Sequence, residues 1–278
     1  MKDILYQLFP TWLKIRIYEF GGKKQFHKGY VTYKFAYIAK SIREKETMEK
    51  FRNSEQLPPG FGHTLDERSI EYPWALSKIP AGPCNFLDAG STLNIKSVLE
   101  HPIFANKKVT IINLNPETDS FWYNGLQKGI SYVFGDIRIM PFMDSYFDVV
   151  TCISTLEHIG LDNTAYLNEE KYREANTGDF EKAVVELKRV LKPGGKLLIT
   201  VPFGKYENFG WFQQFDQNLV QRVLDTFQGQ NHKVDYYKYG EQGWDISDAA
   251  SCRDVQYLRV PELDSWTARA VACLELTK

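Results

Sequence analysis

The run STLEHIGLD (154–162) sets Ser154, Glu157 and His158 within five positions of one another. Such a set can take up, hold and release a proton near neutral pH, because histidine titrates there without help from its surroundings. His158 is the candidate general base and Glu157 its acidic neighbour; Asp162 offers a further carboxylate, as a partner or a metal ligand. The plainer alternative is that Glu157 and His158 only secure a loop. Further on, GKYENFGWFQQFD (204–216) interleaves aromatic rings with amides. Tyr206, Trp211, Gln213 and Asp216 suit a sugar ring, and long loops in compact domains often bind ligands. Packing of these rings onto a sheet edge is the competing reading. Near the start, His63, Glu67, Arg68 and Glu71 can close such a site from above.

A fourth stretch, FLDAGSTLN (86–94), reads as a buried strand ending in Asp-x-Gly, the start of a cofactor-binding turn. A dinucleotide needs further glycines there so that its pyrophosphate can pass close to the backbone. Ser91, Thr92 and Asn94 stand in their place, which argues against NAD. A threonine forced to positive φ costs about 1–2 kcal/mol, so the loop is expected to follow a path that spares Thr92.

The elements that position these residues alternate along the chain. NFLDAG, KVTIINL, ISYVFG, FDVVTCIS and GKLLITVP are strand-like, and LNIKSVLEH, ETDSFWYNGLQK and the amphipathic DFEKAVVELKRVLK lie between them. Strand–helix alternation predicts a parallel sheet covered on both faces. KPGG is a strong helix stop before the fifth strand. KVDYYKYG and ARAVACLELTK close the chain with no long helix between them, which makes one strand antiparallel. Seven strands are expected in all. Residues 1–80 form a helical extension, in which YVTYKFAYIAKSIREKETMEKFR and DERSIEYPWALSKI read as helices, and residues 81–278 form the α/β domain.

Lys plus Arg number 34 against 35 Asp plus Glu, a net charge of -1, so there is no electrostatic case for nucleic acid as a partner. The four cysteines stand far apart without a C-x-x-C pair, which argues against a zinc site or disulfide framework and fits a reducing compartment. No apolar run approaches the roughly 18 residues of a membrane span. The opening MKDILYQLFPTWLKIRIYEF has no small-residue cleavage site, and a cytoplasmic location is expected. It mixes Leu, Phe, Trp and Ile with Lys and Arg, as interfacial helices do, so peripheral membrane contact stands beside packing on its own domain.

FLDAG (86–90), VTIINLNP (109–116), GDIRIMPF (135–142), FDVVTCISTLEHIG (147–160) and ELKRVLKPGGKLLITVPFG (186–204) together resemble the class I S-adenosylmethionine-dependent methyltransferases. The resemblance covers residues 84 to 278 and implies a Rossmann-like sheet, S-adenosylmethionine as cofactor, and in-line methyl transfer. It implies donor contacts at Asp88, Gly90, Asn113, Asp136, Ile137 and Ser154. Asn113 stands where the family has an acid that accepts from the ribose hydroxyls, so donor binding about tenfold weaker is expected. GHTLDERSIEYPW and GWFQQFD resemble, more weakly, methyltransferases of bacterial cell-surface polysaccharides. The implied reaction is O-methylation of a sugar or other small hydroxyl acceptor. A methyltransferase-like binding or regulatory protein without turnover is the other reading.

Overall fold

The computed structural model describes residues 6, 8–116, 129–167, 169–263 and 265–278. Its centre is one eight-stranded sheet. The strands are β1 (Cys84–Ala89), β2 (Lys107–Asn113), β3 (Ser131–Phe134), β4 (Phe147–Ile153), β5 (Leu191–Pro202), β6 (Asn231–Gly240), β7 (Gly243–Ser247) and β8 (Ala270–Thr277). They lie in the order β3-β2-β1-β4-β5-β8-β6-β7. β1 to β5 are parallel, β8 runs against both β5 and β6, and β7 runs against β6. The α/β class and the mostly parallel sheet agree with the sequence reading. The strand count does not: β7 adds an eighth strand and a second reversal. Glu241 and Gln242 turn the chain back on itself, and Trp244 fastens the new edge, buried and donating to the Leu65 carbonyl at 3.0 Å.

The sheet buries both faces, which is why its central strands read as nearly unbroken apolar runs. One face packs on α5 (Phe180–Val190) and α6 (Gln217–Phe227). In α5, Phe180, Ala183, Val184, Leu187 and Val190 are buried at helical spacing, and β5 follows at Leu191 without a linking loop. Four helices precede the sheet in the chain, α1 (Thr11–Phe20), α2 (Tyr30–Ser41), α3 (Lys45–Asn53) and α4 (Arg68–Lys78), and the last three cover its other face. Of these, α2, α3 and α4 share a core with Phe86, Val109, Val149, Leu198 and Tyr237 of the sheet. The helical stretch expected from residue 30 onward is broken between α2 and α3. Every residue of α4 from Ser69 to Lys78 is buried, and Trp74 donates from Nε1 to Asp235 Oδ2 of β6 at 3.0 Å. LNIKSVLEH contributes only the single turn Lys96–Leu99. ETDSFWYNGLQK is residues 117–128 and lies wholly outside the described residues.

Candidate active site

β1, β2, β4 and β5 are parallel, so the loops after them open at one edge of the sheet. β8 runs the other way and delivers residues 266–268 to that same edge. Asp88 ends β1 fully buried. Its Oδ2 accepts from the Leu93 amide at 2.9 Å and its Oδ1 from Thr151 Oγ1 at 3.0 Å. The carboxylate therefore ties the loop to both β1 and β4. Left-handed backbone falls on Gly90 (φ 110°) and Ser91 (φ 62°), and Thr92 is spared, as expected. Thr92 Oγ1 instead donates to the Ile153 carbonyl at 2.6 Å. A Cβ on Gly90 would stand 2.1 Å from Thr155 Oγ1. The room that glycine leaves is taken up by Thr155, a packing that residue types alone did not reveal.

Beyond this loop, Ser91, Asn94, Asn113, Asn115, Tyr132 and Phe134 line a hollow over the ends of β1 to β3. Asn113 Oδ1 accepts from the Leu114 amide at 3.0 Å, and its Nδ2 donates to the Asn115 carbonyl at 3.3 Å. Asn94 Oδ1 accepts from Tyr132 OH at 3.0 Å, but its buried Nδ2 has no partner among the described residues. A buried orphan donor costs about 1–3 kcal/mol, which a hydroxyl oxygen of a bound ribose would offset. The hollow thus fits a hydroxyl-bearing group held by uncharged amides. Asp136 and Ile137 lie on the turn after β3. Arg138 grips the Asp136 carboxylate at 2.6–3.0 Å, and also reaches Glu174 and Asp179. Ile137 is buried in the core on the α5 face, in one cluster with Ala89 and Ile112 at the ends of β1 and β2.

At the mouth, Ser154 leaves β4 in a left-handed conformation (φ 46°). Ser154 Oγ donates to Glu157 Oε1 at 2.8 Å, and its amide donates to Thr200 Oγ1 at 3.1 Å. Thr200 Oγ1 in turn donates to Glu71 Oε1 of α4 at 2.7 Å, and Glu71 pairs through Oε2 with Arg68. The N-terminal helix therefore reaches the ends of β4 and β5 through a buried polar chain. Of the four residues expected to close the site from above, Glu67, Arg68 and Glu71 are drawn in, whereas His63 is exposed. Burial pushes the Glu67 carboxyl up to about 7.

Glu157 Oε2 is buried without a partner among the described residues, and burial, reinforced by the charge of Glu71, pushes its carboxyl up to about 8. Glu157 is therefore a neutral acid at pH 7. Its folded-state pKa lies above the unfolded value of 4.5, so its contribution to stability is complete below pH 4.5 and lost as pH rises to about 8. Glu67 adds a loss of the same sign that ends near pH 7. Glu157→Gln should therefore flatten the fall in stability between pH 7 and 8, where the group acts at up to about 1.4 kcal/mol per pH unit. Denaturant unfolding across that range checks this, and an unchanged slope would contradict a protonated Glu157.

His158 lies on the turn after β4, where its Nδ1 donates to the Trp211 carbonyl at 2.9 Å. That bond fixes the tautomer and leaves Nε2 as the nitrogen able to accept a proton. Burial, opposed by that carbonyl and helped by the nearby Arg68 charge, pushes the imidazole down to about 4, so it stays neutral across the ordinary range. Its ring stands 5.3 Å from that of Trp211 and 6.0 Å from that of Phe212. Phe212 continues the wall to Phe209 (4.5 Å, stacked), Tyr257 (4.8 Å) and Trp266 (5.9 Å). Tyr257 and Trp266 come from the segment before β8, far away in the chain, and no local signal linked them to the aromatic loop. Among the residues expected to hold an acceptor, Tyr206 is exposed at the rim and Trp211 joins the wall. Gln213 and Asp216 do not line it. Gln213 is fully buried and donates to the Thr177 carbonyl at 2.9 Å, while Asp216 caps α6 by accepting from the Leu219 amide at 2.9 Å.

Residues 87–199 match a family model described as a methyltransferase domain. The ubiquinone/menaquinone biosynthesis C-methyltransferase UbiE of Shewanella piezotolerans is 27% identical over 144 residues, which is 50% of this chain and 46% of that protein. The UbiE of Vibrio campbellii is 31% identical over 99 residues, 36% of this chain and 30% of that protein. The chain thus spans less than half the length of these curated relatives. A solved structure of a methyltransferase from Thermotoga maritima, titled as S-adenosylmethionine-dependent and a possible histamine N-methyltransferase, is 12% identical with a TM-score of 0.46. That alignment covers 88% of this chain and all (100%) of that one. Residues 87–199 thus carry a methyltransferase domain, and the motifs of residues 86 to 204 sit at the strand ends of a Rossmann-like sheet, similar to the class I S-adenosylmethionine-dependent methyltransferases.

Proposed function

We propose that this protein transfers a methyl group from S-adenosylmethionine to a hydroxyl oxygen of a sugar or similar small ring. The observation that carries this reading is a neutral His158, its tautomer fixed by the Trp211 carbonyl, set beside a wall of aromatic rings. Aromatic faces suit the apolar faces of a ring acceptor. When bound, the donor supplies a methyl carbon already activated on a sulfonium, so the protein's main work is positioning. Asp88 holds the loop that would meet the donor's amino-acid end. Asn94 and Asn113 would meet its ribose. An alcohol is a poor nucleophile until it loses its proton, and His158 Nε2 takes that proton as the acceptor oxygen closes on the methyl carbon. With its pKa pushed down to about 4 by burial, the imidazole stays unprotonated, and so able to accept a proton, well below neutrality. We place α1 outside this chemistry, as a surface for membrane contact.

Calorimetric titration with S-adenosylmethionine and S-adenosylhomocysteine should give dissociation constants in the micromolar range. His158→Ala should keep that affinity and lose about 10²–10⁴-fold in turnover. No heat and no thermal shift at millimolar ligand would defeat the donor assignment, and unchanged turnover in His158→Ala would remove the base. Donor binding without turnover across a broad panel of hydroxyl acceptors would favour a non-catalytic binding protein instead.

A further inference from the structure

The helix α1 carries an exposed apolar stripe. Trp12 is 65% and Phe20 85% exposed, and Leu8 just before the helix is 77% exposed. Trp12, Arg16 and Phe20 recur every four residues and so share one face, while Tyr18 on the other side is buried beside Tyr30 and Leu65. The charge around the stripe is equally one-sided. Residues 1–28 carry six Lys and Arg against two acids, a balance of +4, so the other 250 residues carry -5.

Two occupants could cover such a stripe: a second copy of the chain or a lipid surface. Arg16 decides between them. In a symmetric pair of copies Arg16 would face a segment of the same +4 balance, a like-charge contact. At a bilayer surface the same guanidinium reaches lipid phosphates, while Trp12 and Phe20 sink to the boundary of headgroups and acyl chains. A helix of ten residues is about 15 Å long, so it lies in the surface plane and does not cross.

The stripe also connects to the acceptor side of the site. Tyr18 OH donates to Thr64 Oγ1 at 3.2 Å, and Gln25 Nε2 in the loop after α1 donates to Thr267 Oγ1 at 3.4 Å. Thr267 Oγ1 donates to Glu67 Oε2 at 2.9 Å, beside Trp266 of the aromatic wall. We infer that α1 and the basic residues around it dock on an anionic phospholipid surface and hold the acceptor mouth close to it. The docking itself does not depend on methyl transfer.

The test is sedimentation of the full chain with vesicles of mixed phosphatidylcholine and phosphatidylglycerol, against phosphatidylcholine alone, at low and high salt. Binding should require the anionic lipid and weaken with salt. The pair Trp12→Ala and Phe20→Ala should lower partitioning about tenfold or more through lost apolar insertion. Arg16→Glu should lower it about tenfold by reversing one charge. Because these side chains are exposed, circular dichroism, thermal unfolding and donor titration should be unchanged, which separates loss of docking from loss of the site. No sedimentation with anionic vesicles, or equal sedimentation by the variants, would overturn the inference. So would a dimer in sedimentation velocity that the same substitutions dissolve without any vesicle binding; that result would assign the stripe to a second copy.

Discussion

Replacing Asp88 with Ala should lower folding stability by about 3–5 kcal/mol and weaken S-adenosylmethionine binding by at least about 100-fold. The carboxylate is fully buried, and both of its oxygens are used, by the Leu93 amide and by Thr151 Oγ1. Alanine leaves the Leu93 amide buried without an acceptor, an orphan that costs about 1–3 kcal/mol, and confines Thr151 Oγ1 to its longer bond with the Leu87 carbonyl at 3.3 Å. The loop from Gly90 to Leu93 also loses its tie to β4, so the left-handed backbone at Gly90 and Ser91 is no longer held. Asp88→Asn should be milder, at about 1–2 kcal/mol, because the amide oxygen still accepts one bond and Thr151 can turn its hydroxyl to donate elsewhere. Denaturant unfolding and donor calorimetry on both variants check this. An alanine variant as stable as the parent, or one that binds donor equally well, would show that the loop is held by other contacts.

The second large effect is expected at Glu71, which no family motif marks. Glu71 is fully buried between Arg68 and Thr200 Oγ1, at the junction of α4 and the ends of β4 and β5. Glu71→Ala leaves the Arg68 charge without its ion-pair partner: of the buried carboxyls beside it, Glu67 is held towards neutrality and Asp66 is paired with Lys34. Breaking a buried pair from one side costs about 3–5 kcal/mol; Arg68 keeps some contact with water, so the lower end is expected. The double variant Arg68→Met, Glu71→Met should recover at least half of that loss, because it removes both charges and keeps the volume. A double variant no more stable than Glu71→Ala would mean that Glu71 acts through its bond to Thr200 and not through the ion pair. In either case the Glu157 carboxyl should move down, since the charge of Glu71 helps to hold it up.

The strands were legible because they are local: a run such as FDVVTCIS declares a strand buried on both sides without reference to the rest of the chain. α5 was legible from its helical spacing, whereas KPGG, expected as a stop before the fifth strand, lies inside β5 and the helix ends ahead of it at Val190. The path of the first loop was foreseen too, since Thr92 resists the left-handed region that Gly90 and Ser91 adopt. The eighth strand was missed because GWDIS is short, and its worth lies in Trp244 reaching Leu65, 179 residues away.

The site divides along the same line. Sequence by itself determined which residues could do chemistry and that the loops after the parallel strands would gather at one edge. It could not decide which way each side chain faces. Gln213 and Asp216 have the right types for a sugar site, yet Gln213 Nε2 is spent on the Thr177 carbonyl and Asp216 Oδ1 on the first turn of α6. Asp136 has the family's position, yet Arg138 holds it. Conversely, the neutral states of Glu157 and His158 arise from burial, and that burial is created by α4, the aromatic loop and the segment before β8 closing over one spot. Residue type follows the chain one position at a time, but desolvation and hydrogen-bond competition depend on everything packed around an atom, and only the tertiary structure brings those neighbours together.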